Sequence, residues 1–155
     1  MDSNFNPEQF LGSALSAPLT KRPPLAAGRP FDATIGAVKV RSGTSTGKDG
    51  QPRDWVAFDF PLEIEVPADL QAGVGQPKVT LTDSVFVDTT PGGGLDMAPG
   101  RNRGLRRYYD ATGLNKAGTT PNHLPGNRIK VILKHEPARD GSGDLYERVE
   151  TITKG

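Results

Sequence analysis

Residues 54–66 read Asp-Trp-Val-Ala-Phe-Asp-Phe-Pro-Leu-Glu-Ile-Glu-Val, and the even positions Val56, Phe58, Phe60, Leu62, Ile64 and Val66 are all apolar. The odd positions Trp55, Ala57, Asp59, Pro61, Glu63 and Glu65 are mostly polar. Alternation with a period of two marks a strand with one face on a core and the other in water. Pro61 has no N–H to give to a ladder, so a bulge or an unpaired edge is expected at mid-strand. A long, bent strand of this kind suits a small barrel, and Trp55 is the one large ring on its wet face.

Further strands flank this one. Phe31, Ala33 and Ile35, then Val38 and Val40, alternate on either side of Gly36, which predicts one strand whose register slips at the glycine. Ser42 to Arg53 is a polar turn stretch. Pro67 to Gln76 reads as a loop, and Val79, Leu81, Asp83, Val85 and Val87 form the apolar side of a third strand. After a glycine-rich connection, Leu105, Tyr108, Tyr109 and Thr112 fall at helical spacing, with Asn102 placed to cap the start and Gly113 the end. Ile129, Val131 and Leu133 face inward on a fourth strand. Asp144 to Thr153 is a fifth, whose inward residues are either Leu145 with Val149 or Tyr146 with Ile152.

The chain has 155 residues, enough for one domain and a tail, and its 19 glycines and 14 prolines favour short strands joined by turns. Residues 1–28, with Pro18, Pro23 and Pro24, read as an extended N-terminal arm, and residues 29–155 as the domain. Without cysteine there is no disulfide framework and no thiolate metal site. No charged start followed by an apolar run marks a signal peptide or a membrane span, so a cytoplasmic location is expected. The net charge of +1 conceals an asymmetry: residues 31–100 hold 5 basic and 10 acidic side chains, residues 101–155 hold 11 and 6. Such asymmetry marks either a polyanion-binding surface or a solvated face.

Three strands, a helix and two strands is the element order of an OB fold, a five-stranded partly open barrel whose second and third strands bind oligonucleotides or oligosaccharides. A five-strand sandwich gives the same string. In the barrel reading, the loops flanking the binding face are Ser42 to Arg53 and Glu136 to Gly143.

Several motifs carry no chemistry. Gly43 to Lys48 is one residue short of a phosphate loop, and Asp49 stands where a metal-binding Ser or Thr is needed. His123 and His135 lie in different elements, so no metal or other cofactor is expected. Asp59, Glu63 and Glu65 share one strand face without a nucleophile or partner acid, and read as solvated; no catalysis is assigned. Arg101, Arg103, Arg106 and Arg107 crowd the start of the helix, where the positive end of the dipole disfavours cations. They are either an anion site or plain surface.

The better signal is aromatic rings beside cations, the combination that binds single strands. Trp55 and Phe86 sit on the less apolar faces of the second and third strands, unless the helix or the arm covers them. With Lys39, Arg41, Lys48, Arg53, Lys130, Lys134 and Arg139 they make up the candidate nucleic-acid-binding set.

Three stretches also carry a likeness: Val79 to Asp88 leading to Met97, Leu105 to Asn115, and Pro125 to His135 with the final strand. On these, over about residues 28–154, the chain resembles a group of phage-encoded proteins from replication and recombination regions, thought to be single-stranded-DNA-binding proteins with an OB-like barrel. The resemblance implies a non-enzymatic partner of single-stranded DNA in the host cytoplasm, with no small-molecule substrate. The chain ends Thr151-Ile-Thr-Lys-Gly155 without the acidic tip of better-known bacterial binding proteins, so recruitment through such a tip is not expected. The competing expectation is a small barrel serving as a virion or assembly component, with the arm joining copies into a homo-oligomer.

Overall fold

The computed structural model describes residues 6–16 and 21–155, and residues 1–5 and 17–20 of the arm, Phe5 and Pro18 among them, lie outside the described residues. The elements are α1 (Pro7–Leu11), β1 (Pro30–Ile35), β2 (Lys39–Thr46), β3 (Pro52–Glu65), α2 (Ala68–Val74), β4 (Lys78–Val87), α3 (Arg103–Thr112), a 3-10 turn (Pro121–His123), β5 (Arg128–Pro137) and β6 (Leu145–Lys154). The protein is mainly β, and its six strands form one antiparallel sheet.

The 14-residue β3 is the axis of that sheet. From Val56 to Glu65 it pairs with β4 on one edge, while its other edge is shared: β2 takes Pro52 to Asp59 and β1 takes Leu62 to Ile64. The expected single strand over Phe31–Val40 is therefore two strands. The break falls at Gly36, whose N–H donates to the Pro61 carbonyl at 2.7 Å. A Cβ at Gly36 would meet Pro61 Cγ at 3.0 Å and the Pro61 carbonyl oxygen at 3.1 Å, a tight fit that the missing side chain relieves.

Pro61 explains itself by the same geometry. The N–H and C=O of one strand residue point to the same side, and the Pro61 carbonyl faces the gap between β1 and β2. Its missing donor faces that gap too. The residue stays in register with Thr82 on the β4 side, so the unpaired edge is present at mid-strand without a bulge.

On the other side, β1 pairs with β5 and β5 with β6. No ladder joins β4 to β6, so the sheet is open there and is not a closed barrel. Phe31, Ala33, Ile35, Phe58, Phe60, Leu62, Ile64, Val79, Ile129, Val131 and Leu133 fill the core between the curled halves. Tyr108 of α3 plugs it, stacked on Phe60 with ring centroids 4.0 Å apart and planes at 19°. Its hydroxyl donates to Asp83 Oδ2 at 2.5 Å, which accounts for an acid among the inward residues of β4. Burial pushes the Asp83 carboxyl up from its ordinary range, and burial likewise raises the Tyr108 phenol. Arg107 bridges the open side, donating to the Glu150 carbonyl on β6 at 3.1 Å with Asp83 of β4 3.9 Å away.

Four local expectations change. Residues 42–46 continue β2, leaving only a short turn closed by Gly47 N–H donating to Gln51 O. The expected loop after Pro67 contains α2, a short helix with no buried residue, against whose Leu70 and Val74 the core packs. Asn102 stands at the N-cap position of α3, its carbonyl accepting from Arg106 N–H, but its side chain makes no capping bond: its amide donates to the Asp88 and Asp96 carbonyls and its Oδ1 accepts from Asp88 N–H. In β6, the pairing shifts between Ile132 and Leu133, which face Thr151 and Val149 and leave Glu150 unopposed. A bulge reverses the parity of a strand, so Ile152 and Val149, one from each of the alternatives, are the inward residues.

Of the arm, residues 6–16 hold α1 and no buried side chain, whereas residues 21–28 are docked. Leu25 is fully inside the core, its N–H donating to Glu147 Oε2 at 2.8 Å and its carbonyl 2.6 Å from His135 Nε2. Arg22 pairs with Glu147 at 2.5 Å, and Gly28 N–H reaches Leu133 O.

Candidate nucleic-acid interface

The outer face of β3 carries the odd-numbered residues, and register fixes what lies beside each. Gly43 of β2 is opposite Trp55, Arg41 and Phe86 flank Ala57 from either side, and Lys39 and Ser84 flank Asp59. Ala57, small and central, is fully buried beneath this row. Trp55 and Phe86 meet edge to face with centroids 5.7 Å apart and planes at 82°. Phe86 keeps 68% of its surface exposed, so no described element covers the face.

Trp55 is half-buried because it lies over Gly43. A Cβ there would come within 2.6 Å of Trp55 Cζ2, closer than atoms pack. The glycine that looked like part of a polar turn is thus the seat of the indole. Arg41 stands over the same ring, its Cζ 5.6 Å from the centroid. Cations are favoured over the negative face of an aromatic ring.

Arg41 is held there by an acid. Its Nε donates to Asp59 Oδ2 at 2.5 Å and its Nη2 to Asp59 Oδ1 at 3.0 Å, a two-pronged geometry that fixes the guanidinium plane. Ser84 Oγ donates to Asp59 Oδ1 at 2.6 Å, and Arg41 Nη2 lies 3.4 Å from Ser84 Oγ. Hydrogen bonds from Arg41 and then Ser84 hold the Asp59 carboxyl below the usual carboxylate range, and the bond to Asp59 raises Arg41 in turn. Asp59, read from sequence as solvated, is instead 15% exposed and fully engaged.

The predicted set divides in three. Lys39, Arg41, Trp55 and Phe86 share this face, and Arg53 joins them by the period of two, with Lys48 exposed at the tip of the β2–β3 turn. Arg53 pairs with Asp49 at 2.9 Å; Lys48 makes no ion pair or hydrogen bond among the described residues. Lys130 and Lys134 lie on β5, two strands away. Lys130 faces Asp32 on β1, and Thr34 beyond it faces Glu63, eight residues or roughly 26 Å along β3 from Trp55. Lys130 has Asp32 at 3.9 Å and Lys134 has Glu136 at 3.3 Å.

Arg139 lines a cleft of about 570 Å³ along the unpaired side of the sheet, with Asp83, Glu136, Asp140, Glu147 and Arg148. Four carboxylates against two guanidiniums make that cleft net acidic. The helix arginines are largely occupied as well: Arg101 has Asp96 at 3.6 Å, Arg106 has Asp110 at 3.4 Å, and Arg107 makes the bridge described above. His123 Nδ1 accepts from Thr120 N–H in the 3-10 turn, and His135 holds Leu25. Among the described residues no group of three or more possible ligands gathers around a metal site. None of their helices is long and apolar enough to cross a membrane.

Sequence reasoning missed Gly43, Asp59 and Ser84. Period two places Asp59 on the face of Trp55, but only the register of β2 and β4 brings Arg41 and Ser84 to it. No family model, no curated protein and no solved structure matches the chain, so the interface stands on its own geometry.

Proposed function

We propose that the protein binds single-stranded DNA without catalysis, by base stacking on Trp55 and Phe86 with Arg41 beside them. The observation that carries this reading is the ring pair on the outer face of β3 and β4, with Trp55 half-buried on Gly43 and Phe86 68% exposed beside it. An aromatic surface beside a cation accepts any unpaired base and excludes bases locked in a duplex, with stacking contributing about 1–3 kcal/mol per base. Lys39, Lys48 and Arg53 are suited to the phosphates around that platform, and Lys130, Lys134 and Arg139 to a strand that continues around the sheet.

The topology supports an OB-type reading. Counted as halves of one strand bent at Gly36, β1 and β2 leave five antiparallel strands, with α3 between the third and fourth and the rings on the second and third. The likeness to phage proteins of replication and recombination regions points the same way, and with it to the host cytoplasm. Residues 39–59 are only weakly basic: Lys39, Arg41, Lys48 and Arg53 stand against Asp49, Asp54 and Asp59, a net of +1. That balance favours stacking over charge as the source of affinity.

A gel shift with matched single-stranded and duplex oligonucleotides tests the proposal. Retardation of the single strand at concentrations that leave the duplex free is expected; equal retardation, or none at low salt, counts against it. A second reading, assembly through the N-terminal arm, draws on Leu11 and Leu15, which α1 and its extension leave 89% and 64% exposed. Sedimentation before and after removal of residues 1–16 separates a self-associating arm from a free one.

A further inference from the structure

The middle of the proposed stacking face holds a carboxylate, which is an odd place for one if the ligand is a polyanion. Asp59 lies one row from Arg41 and Phe86 and two rows from Trp55. It accepts three short hydrogen bonds, from Arg41 Nε, Arg41 Nη2 and Ser84 Oγ, so its charge is fixed in place. Two of the five guanidinium N–H groups of Arg41 point at the acid, a third lies toward Ser84, and those on Nη1 remain for a ligand. The cation most intimately placed beside Trp55 is therefore neutralised, while its orientation is kept.

Resting on the single-strand reading above, we infer that Asp59 is a specificity-determining residue: by cancelling Arg41 it denies phosphates a strong contact at the platform, so that a strand gains there only by supplying an unstacked base. Discrimination between partners is often built from a repulsive element set against the wrong one. A duplex offers phosphates and no free base, so it meets the carboxylate with nothing to offset it. A single strand offsets the same repulsion by stacking on Trp55 and Phe86. Lys39, opposite Asp59, leaves the group at a net of +1 when Arg41 is included.

The test compares wild type with Asp59→Asn, which keeps the shape and one of the two acceptor oxygens, puts an amide NH2 in place of the other and removes the charge. Its probes are a fluorescein-labelled oligothymidylate of about 16 nucleotides and a duplex of the same length, each titrated over a range of salt. Freed from its acid, Arg41 becomes a phosphate contact. Duplex affinity is expected to rise roughly 5-fold or more, single-strand affinity to rise less, and the salt slope on the single strand to steepen by about 0.7. Arg41→Gln in the Asp59→Asn background should abolish the gain, and Asp59→Glu should restore the selectivity of the wild type. Cooperative melting, with the Asp59 variants somewhat below wild type where the bond to Arg41 is weakened, confirms that the fold is intact in each. If wild type binds the single strand but Asp59→Asn leaves the ratio of the two affinities unchanged, or weakens both equally, the inference fails and the parent reading survives. If wild type binds neither probe, both fail.

Discussion

The two faces of β3 are built from the same alternation and obey different rules. On the inner face Phe58, Phe60, Leu62 and Ile64 are packed by whatever lies opposite, and their identity matters mainly as apolar volume. On the outer face each residue has one specific neighbour: Trp55 has Gly43, Ala57 has Arg41 and Phe86, Asp59 has Arg41 and Ser84. The inner face therefore governs stability. The outer face, where Phe86 stays 68% exposed, is where the proposed contact with a partner falls.

Substitutions along one strand should separate these roles. Phe60→Ala is expected to cost about 3–5 kcal/mol, since it also removes the ring on which Tyr108 stacks. Phe86→Ala, on the face where 68% of the ring is already exposed, should cost under about 1 kcal/mol, as solvated sites do. Chemical denaturation of both variants reads the contrast directly, and comparable losses would mean that the outer rings are structural.

The arm offers the next largest effect. Removing residues 1–20 should leave the melting temperature close to that of wild type, whereas removing residues 1–27 also deletes Leu25 and the Arg22–Glu147 pair. Loss of one buried leucine, about 2–5 kcal/mol, should lower melting by on the order of 10 °C in a domain of this size. Equal melting of the two truncations would place Leu25 outside the cooperative core.

Gly43→Ala touches the outer face alone. The added Cβ meets the indole at 2.6 Å and must displace it. A stability cost of about 1 kcal/mol is expected, as for a mild overpacking, together with a marked shift in Trp55 emission. An unchanged spectrum would show that the ring is not seated there.

The smallest effect is a difference in pH response between two carboxyls. Asp59 has a folded pKa below its unfolded value of about 3.9, so it contributes stability above that value and loses it as pH falls through the folded pKa. Asp83 is raised by burial, so its unfolded form binds fewer protons, and stability declines as pH rises from about 3.9 toward the folded value. Asp59→Asn should flatten the acid limb of the stability profile, and Asp83→Asn should remove the opposite slope just above it. Denaturation midpoints measured on both sides of the unfolded value of about 3.9 would show whether the signs are as assigned.

Much of the inner face was legible in the sequence, because burial writes itself as a period: Val56 to Val66, Val79 to Val87 and Ile129 to Leu133 all appear where alternation puts them. Where a single residue changes parity or direction, the pattern failed. Gly36 divided a strand that alternation made continuous, and Glu150 shifted β6 so that neither proposed inward pair was right. The aromatic platform was visible as Trp55 and Phe86. Its support was not, since Gly43, Asp59 and Ser84 acquire their roles through cross-strand register, which is a property of three strands and of no one stretch. Residues 21–28 were read as part of the arm because prolines there oppose helix, yet Leu25 finds its place in the core through contacts with β5 and β6 more than a hundred residues away.

The central claim is that unpaired bases stack on Trp55, and the chain's single tryptophan makes its own probe. Titrating wild type with oligothymidylate while following tryptophan emission should give saturable quenching. Its midpoint should weaken with salt at a slope near −0.7 per phosphate neutralised, and Trp55→Ala, still folded, should bind about 1–3 kcal/mol more weakly. Salt-sensitive binding with emission unchanged and Trp55→Ala as tight as wild type would contradict the claim and move the contact away from the outer face of β3.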